Sequence, residues 1–288
     1  MSNDQPDQMN THPAAANLGE AHGRSELSAE QEALKAEFVA AGGTWSTSWE
    51  ALVLLDPGYF SAYLRLRSVP FRRKKLPRKI QELVLLSLNA SCTTMFTPSI
   101  QAHTWGALQA GATRSEIMEV LELASVLGIH AVNVGVPLLQ EVLREEQLAP
   151  SQVADTLDHR REALKSDFIN KRGYWHSSWE NVLELDPDFF EAYTEFSSYP
   201  FRQRQPSEQS DENVMSQGLE AKVKELIYCA IDCATTHLFV PGLKIHIRNA
   251  LKYGAGPEEI MEVFELASLM GIHTVTAGAE VLASLSKT

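Results

Sequence analysis

The sequence predicts an all-α protein built by tandem duplication of one helical unit. Two observations carry this. Lys79–His103 (KIQELVLLSLNASCTTMFTPSIQAH) returns 143 positions later as Lys222–His246 (KVKELIYCAIDCATTHLFVPGLKIH), and a fixed internal period is the mark of repeated supersecondary units. The apolar segments also follow helical spacing between capping signals, and no period-2 alternation bounded by hairpin turns competes with them.

The elements follow in order. Residues 1 to about 26 are polar, without the apolar stretch of a signal peptide, and read as a flexible tail. Ser28-Ala-Glu-Gln31 has capping-box spacing and opens a helix that stops at Gly42-Gly43. Trp45-Ser-Thr-Ser-Trp49-Glu50 forms a short helix. Asp56-Pro57, an N-cap followed by proline at the first helical position, opens the next through Tyr59, Phe60 and Tyr63. Pro70 and Pro77 bracket a basic connector, FRRKKL, and the basic run from Arg65 to Lys79 is read as solvated rather than as an anion-attracting surface, since the second repeat has an acidic, Gln-rich insertion at that place. The apolar helix with Glu82 follows, then a helix from Thr97-Pro98 carrying His103. Thr113-Arg-Ser-Glu116 is a second capping box, and its helix runs to about Gly128, where a kink leads into a helix reaching about Glu146.

From about Leu157 the pattern restarts. Trp175 to Glu180 answers Trp45 to Glu50, Asp186-Pro187 answers Asp56-Pro57, and Pro200-Phe201-Arg202 answers Pro70-Phe71-Arg72, all at an offset of 130. The change to 143 places a 13-residue polar insertion around Arg204 to Glu212. Glu259-Ile-Met-Glu-Val263 and Gly271-Ile-His273 then repeat Glu116 to Val120 and Gly128 to His130. The expected organisation is a tail (1–26), a first repeat (27–150) and a second (151–288). The paired tryptophans, at i,i+4, read as core or subunit-interface anchors.

The 288 residues are 44% hydrophobic and 22% charged, with a formal charge of −12. That acidity argues against nucleic acid and against a polybasic membrane contact, and no run of about 18 apolar residues suggests a membrane span. Of the three cysteines, Cys92, Cys229 and Cys233, the last two are i,i+4 on one helix and point along it, unsuited to a structural disulfide. A reducing, cytoplasmic compartment is expected.

The candidate chemistry lies on the apolar helices. Glu225, Cys229, Asp232 and Thr236 share one helical face, as do Glu82, Leu86, Asn89 and Thr93. A buried carboxylate costs several kcal/mol unless partnered, and His246 or His103 on the following helix is the expected partner. One reading is a Glu–His acid/base pair; the other is a buried glutamate tying helices together. The second repeat holds more ionisable groups, so Glu225, His246, His237 and Asp232 form the principal catalytic candidate, with Glu82 and His103 a plainer second site. His130 and His273 are either junction residues bonded to backbone or members of a site. A divalent transition metal, if present, would take His237, His246, His273 and Glu225, although no helical HxxxH or HExxH spacing supports it. Cys229 faces Leu86 in the repeat and reads as packing.

The run K-x-x-E-L … H-x-x-x-A-L-x-x-G-A … E-I-M-E-V … G-I-H, at Lys79 to His130 and Lys222 to His273, resembles the carboxymuconolactone decarboxylase and alkylhydroperoxidase-D-like superfamily, in an extended tandem form. The resemblance implies an all-helical unit paired with its copy and a homo-oligomeric ring, a trimer being favoured. The peroxidase branch uses Cys-x-x-Cys-x-x-x-His. Counting back from His246, those cysteine positions hold Gly242 and Phe239; counting back from His103, Ser99 and Phe96; counting on from Glu225, His237 and Val240. Without a dithiol the disulfide cycle has nothing to run on, so antioxidant activity is disfavoured. The decarboxylase branch implies cofactor-independent proton transfer on a small anionic or lactone substrate: decarboxylation, isomerisation or lactone opening. The alternatives are a metal-assisted hydrolase or lyase at the same cluster, and a non-catalytic ring-forming binding protein.

Overall fold

The computed structural model describes residues 26–148, 159–202 and 218–285; most of the expected tail and the insertion around Arg204 to Glu212 lie outside them. The described residues are helical, without strands. The first copy comprises α1 (Ala29–Ala40), α2 (Thr47–Leu55), α3 (Pro57–Arg73), α4 (Arg78–Ala90), α5 (Thr97–Gln109), α6 (Arg114–Ser125) and α7 (His130–Glu145). The second comprises α8 (His159–Arg172), α9 (Ser178–Leu185), α10 (Pro187–Ser198), α11 (Ala221–Cys233), α12 (Val240–Lys252), α13 (Pro257–Ser268) and α14 (Ile272–Leu285). Short 3₁₀ turns, Val126–Ile129 and Leu269–Gly271, join α6 to α7 and α13 to α14.

The capping signals act as the spacing predicts. Ser28 and Thr113 accept from the backbone of Gln31 and Glu116, whose side chains bond back to the cap residues. Asp56 and Asp186 accept from Tyr59 N and Phe189 N. Pro70 departs from expectation. It does not end a connector but lies buried inside α3, which continues to Arg73. Its missing N–H leaves the carbonyl of Leu66 without the usual helical partner, a cost that the burial of the proline ring helps to offset. The basic stretch is correspondingly not all solvated: Arg67 is buried and Arg78 reaches Glu82.

α4 and α11 form the centre, packed on each other and on α6 and α13. They are apolar nearly all round, and Ile80–Asn89 and Val223–Asp232 are buried without interruption. Thr93 and Thr236, equivalent residues, hydrogen-bond each other at 3.1 Å and so mark the pseudo-twofold axis between the copies.

The copies are interlocked rather than side by side. Ile272 and Ala279 of α14 enter the aromatic core of the first copy, formed around Phe38 and Phe60. Ile129, at the start of α7, enters the matching core around Phe168, Trp179 and Phe190. Buried carboxylates strengthen the exchange. Glu262 on α13 accepts from Lys75 N, Leu76 N and Gln81 Nε2 of the first copy, at 2.9, 3.1 and 2.8 Å. Its equivalent, Glu119 on α6, accepts from Leu219 N and pairs with Lys224 Nζ of the second, at 2.7 and 2.6 Å. Glu262→Ala would orphan two backbone donors, one of them buried with Leu76. We expect a loss of roughly 3 kcal/mol in urea unfolding; a change below about 1 kcal/mol would show that the cross-copy bonds are dispensable.

α7 and α14 leave equivalent apolar side chains in solvent, Leu138, Leu139 and Val142 on one and Val281, Leu282 and Leu285 on the other.

Candidate active site

Each copy brings its glutamate and histidine together by the same local device. The central helix ends at Ala90 or Cys233. A left-handed residue then turns the chain, Met95 (φ 47°) in the first copy and Leu238 (φ 50°) in the second. Such φ values in bulky residues are uncommon and need surrounding structure to hold them. Here the following N–H closes the turn: Phe96 N donates to Asn89 O, and Phe239 N to Asp232 O. Proline at the second position then starts α5 and α12, which run back along α4 and α11 and set the histidine opposite the glutamate.

In the second copy His246 Nδ1 lies 2.7 Å from Glu225 Oε2, and both residues are buried. Asn249 donates to Glu225 Oε1 at 3.4 Å. The other imidazole nitrogen, Nε2, lies 4.0 Å from Asp232 Oδ2. Asp232 is 1% exposed and its Oδ2 has no hydrogen-bond partner. Burial pushes this carboxyl up to about 7, against the pull of His246 and with a push from Glu225. Gly242 makes the arrangement possible, since a Cβ there would stand 2.4 Å from Asp232 Oδ2. Tyr228 stacks on His246 at a 4.5 Å centroid distance, and Tyr174 meets it edge-on at 6.4 Å. Asp232, His246, Gly242 and the two tyrosines line a cavity of about 210 Å³ that also borders Arg172, Tyr193 and His130; Glu225 lies behind His246.

The first-copy site is smaller and more neutralised. His103 Nδ1 lies 2.8 Å from Glu82 Oε2, while Arg78 takes Glu82 Oε1 at 2.5 Å. Asn89 stands where Asp232 does, and the cavity is about 70 Å³.

The Gly-Ile-His histidines cross over. His273, expected with Glu225, His237 and His246, sits instead in the Glu82 site: its Nε2 is 2.8 Å from Asn89 Oδ1 and its ring packs on Phe96. The expected ligand set His237, His246, His273 and Glu225 is therefore not assembled, because α14 packs against the opposite copy. His130 takes the vacated place. It stacks on Phe239 at 3.7 Å, hydrogen-bonds His237 Nε2 through Nδ1, and holds Nε2 3.9 Å from Asp232 Oδ1. Neither histidine is a backbone-bonded junction residue. Burial pushes His130 down to about 3, with repulsion from His237 and His246 adding to it; His273 falls to about 4, from burial and then His103. Both rings are neutral near pH 7.

The cysteines sit apart from this chemistry. Cys229 is fully buried in the central core and its thiol lies well above the ordinary range, from burial first and then from Glu225 and Asp232. Burial likewise raises Cys233 to about 12, with Asp232 adding to it. Neither is a thiolate near neutrality, and all three cysteines are free.

The sequence profile of the Carboxymuconolactone decarboxylase family matches residues 57–141 and 208–283. Among solved structures, a protein from Burkholderia xenovorans LB400, described provisionally as a gamma-carboxymuconolactone decarboxylase subunit, is 47% identical over 89% of this chain and 97% of that one, with a TM-score of 0.82. A comparison with curated proteins finds no match.

Proposed function

The chain belongs to the carboxymuconolactone decarboxylase family, and from that premise we propose that it is an acid/base enzyme acting on a small oxo-acid or lactone at the Glu225 site. One observation carries the reading. An imidazole anchored at Nδ1 presents Nε2 to a cavity, 4.0 Å from an unpartnered buried carboxyl oxygen held near pH 7. Catalytic acids and bases work best with such values. Glu225 fixes the tautomer: with Nδ1 as donor, His246 Nε2 is free to take a proton from carbon or oxygen. Asp232 is partly protonated near neutrality and supplies the complementary acid.

Three outcomes use the same pair. In isomerisation, His246 removes a proton beside a carbonyl, the C–H electrons form an enolate, and Asp232 returns a proton at another carbon. In decarboxylation the bond to the carboxylate carbon breaks, carbon dioxide leaves, and the enolate left behind is protonated. In lactone opening His246 deprotonates water, hydroxide adds to the carbonyl, and Asp232 protonates the departing ring oxygen. The test is an NMR screen of lactones and oxo-acids against wild type and His246→Gln. Turnover by wild type and its collapse in the variant is expected; equal turnover in both would remove the assignment.

A second reading rests on a different cluster. His130, Asp232 and His237 each offer a ligand atom, all within 4.8 Å of one another. Two imidazoles and a carboxylate with an open side suit a catalytic transition metal, which would make the site a metal-assisted hydrolase or lyase. Mass spectrometry of protein purified without chelator or nickel resin decides: about one transition metal per chain favours this reading, and background metal leaves the acid/base pair.

A further inference from the structure

We propose that Arg172 is the anion-recognition residue of the cavity lined by Asp232 and His246 and that its ligand is the carboxylate of a small organic acid. The proposal rests on the acid/base reading above and adds the part of the substrate that the site grips.

Arg172 ends α8 and is 8% exposed. A buried guanidinium normally has a carboxylate partner, yet among the described residues none forms an ion pair with it. Its electrostatic neighbours are the phenols of Tyr228, Tyr174 and Tyr193. Nη1 donates to Ser197 O, and Nε has no hydrogen-bond partner. The guanidinium borders the cavity that contains Asp232 and His246. Its Cζ lies 5.5 Å from the ring centre of Tyr228 and 5.9 Å from that of Tyr174, the same two rings that pack on His246. A molecule held by Arg172 would therefore lay its next carbons along the tyrosines toward His246.

The other copy supplies an independent observation. It also buries a guanidinium, that of Arg67, at 7% exposure beside the smaller cavity, and among the described residues no carboxylate lies within ion-pair distance of it, Glu82 acting only from farther off. The two arginines are not equivalent in the duplication: the residue matching Arg67 is Ser197, and the residue matching Arg172 is Gly42. Yet both groups occupy the same place. Arg67 stands 4.5 Å over Phe71 and donates across the helix pair to Ala41 O; Arg172 stands 4.3 Å over the equivalent Phe201 and donates the opposite way, to Ser197 O. The positive charge has kept its position while the residue that provides it has changed sides. Ring packing alone does not require a charge there, whereas an anionic ligand does. The cavity is lined by one such guanidinium and by the carboxyl of Asp232, which suits a singly charged, planar carboxylate better than a phosphate dianion.

Calorimetry with the full chain tests this, using 4-oxopentanoate and its neutral methyl ester as probes in wild type, Arg172→Met, Arg172→Lys and His246→Gln. Wild type should bind the acid at least about tenfold more tightly than the ester. Arg172→Met should erase that preference, and Arg172→Lys should retain part of it, which keeps the test decisive if the methionine variant does not fold. His246→Gln should bind the acid as wild type does. Equal affinity for acid and ester in wild type, no detectable binding of either, or an unchanged preference in the Arg172 variants would overturn the proposal. Normal turnover by His246→Gln would instead sink the acid/base reading and leave the carboxylate subsite standing.

Discussion

Replacing Asp232 with asparagine should stabilise the protein by roughly 4 kcal/mol at pH 8 and by almost nothing near pH 4. The carboxyl is buried without a partner for Oδ2, and burial raises it from an ordinary value of 3.8 to about 7. A carboxyl raised in this way holds its proton more firmly in the folded than in the unfolded chain. Below about pH 4 both states are protonated and nothing is lost. Between pH 4 and 7 the unfolded chain has released its proton while the folded chain retains it, so stability falls with rising pH, and above about 7 the loss is complete. Asparagine has no charge to bury, and the fold accepts it: Asn89 at the equivalent position donates to Leu85 O and meets His273 at Oδ1. Urea midpoints for wild type and Asp232→Asn from pH 4 to 8 should diverge as pH rises. A constant difference would mean that the cost is not carried by this ionisation. A stable variant with impaired turnover would place the cost of Asp232 in function.

The repeat arithmetic made much of this site legible. Glu225 and His246, and Glu82 and His103, were paired from their spacing and common offset, and the hydrogen bonds are present. Of the face shared by Glu225, Cys229, Asp232 and Thr236, Asp232 lines the cavity, whereas Cys229 is packed in the core and Thr236, beyond the end of α11, bonds Thr93. What the period could not reveal is which copy a helix packs against. α7 and α14 carry the same pattern whether they fold back on their own copy or cross to the other; it is the burial of Ile129 and Ile272 in the opposite aromatic cores that places His130 and His273. Arg172 was hidden for a related reason. Equivalence by offset compares like positions, and this guanidinium is supplied from unlike ones, Arg67 in one copy and Arg172 in the other. Pro70 reads as a helix end by local rules, yet a proline can stay within a helix where packing offsets the one lost hydrogen bond.

His246→Gln should lower kcat by about 10² to 10⁴ while leaving the fold and its melting temperature close to wild type. Glutamine can still donate to Glu225 Oε2, the atom now met by His246 Nδ1 at 2.7 Å, so the glutamate is not left as an unpaired buried charge. It has no nitrogen able to take and return a proton at the cavity. Glu225→Gln should act differently. It keeps the imidazole but replaces an acceptor-only carboxylate with a neutral amide that can accept from Nδ1 or donate to it, so the tautomer is no longer fixed; kcat should fall less, while stability changes because the charge-assisted helix-to-helix bond is weakened. The carboxyl near pH 7 adds a third expectation: kcat/KM should change along a limb near that pH, and Asp232→Asn should abolish the limb without shifting any other. If the Glu–His pair only ties α11 to α12, the ranking reverses. Both glutamine variants would then cost stability in proportion to the hydrogen bond, turnover of any substrate found would survive, and the pH limb would remain. Catalysis and architecture therefore assign opposite outcomes to the same conservative substitutions, with the large effect in rate under one and in unfolding free energy under the other.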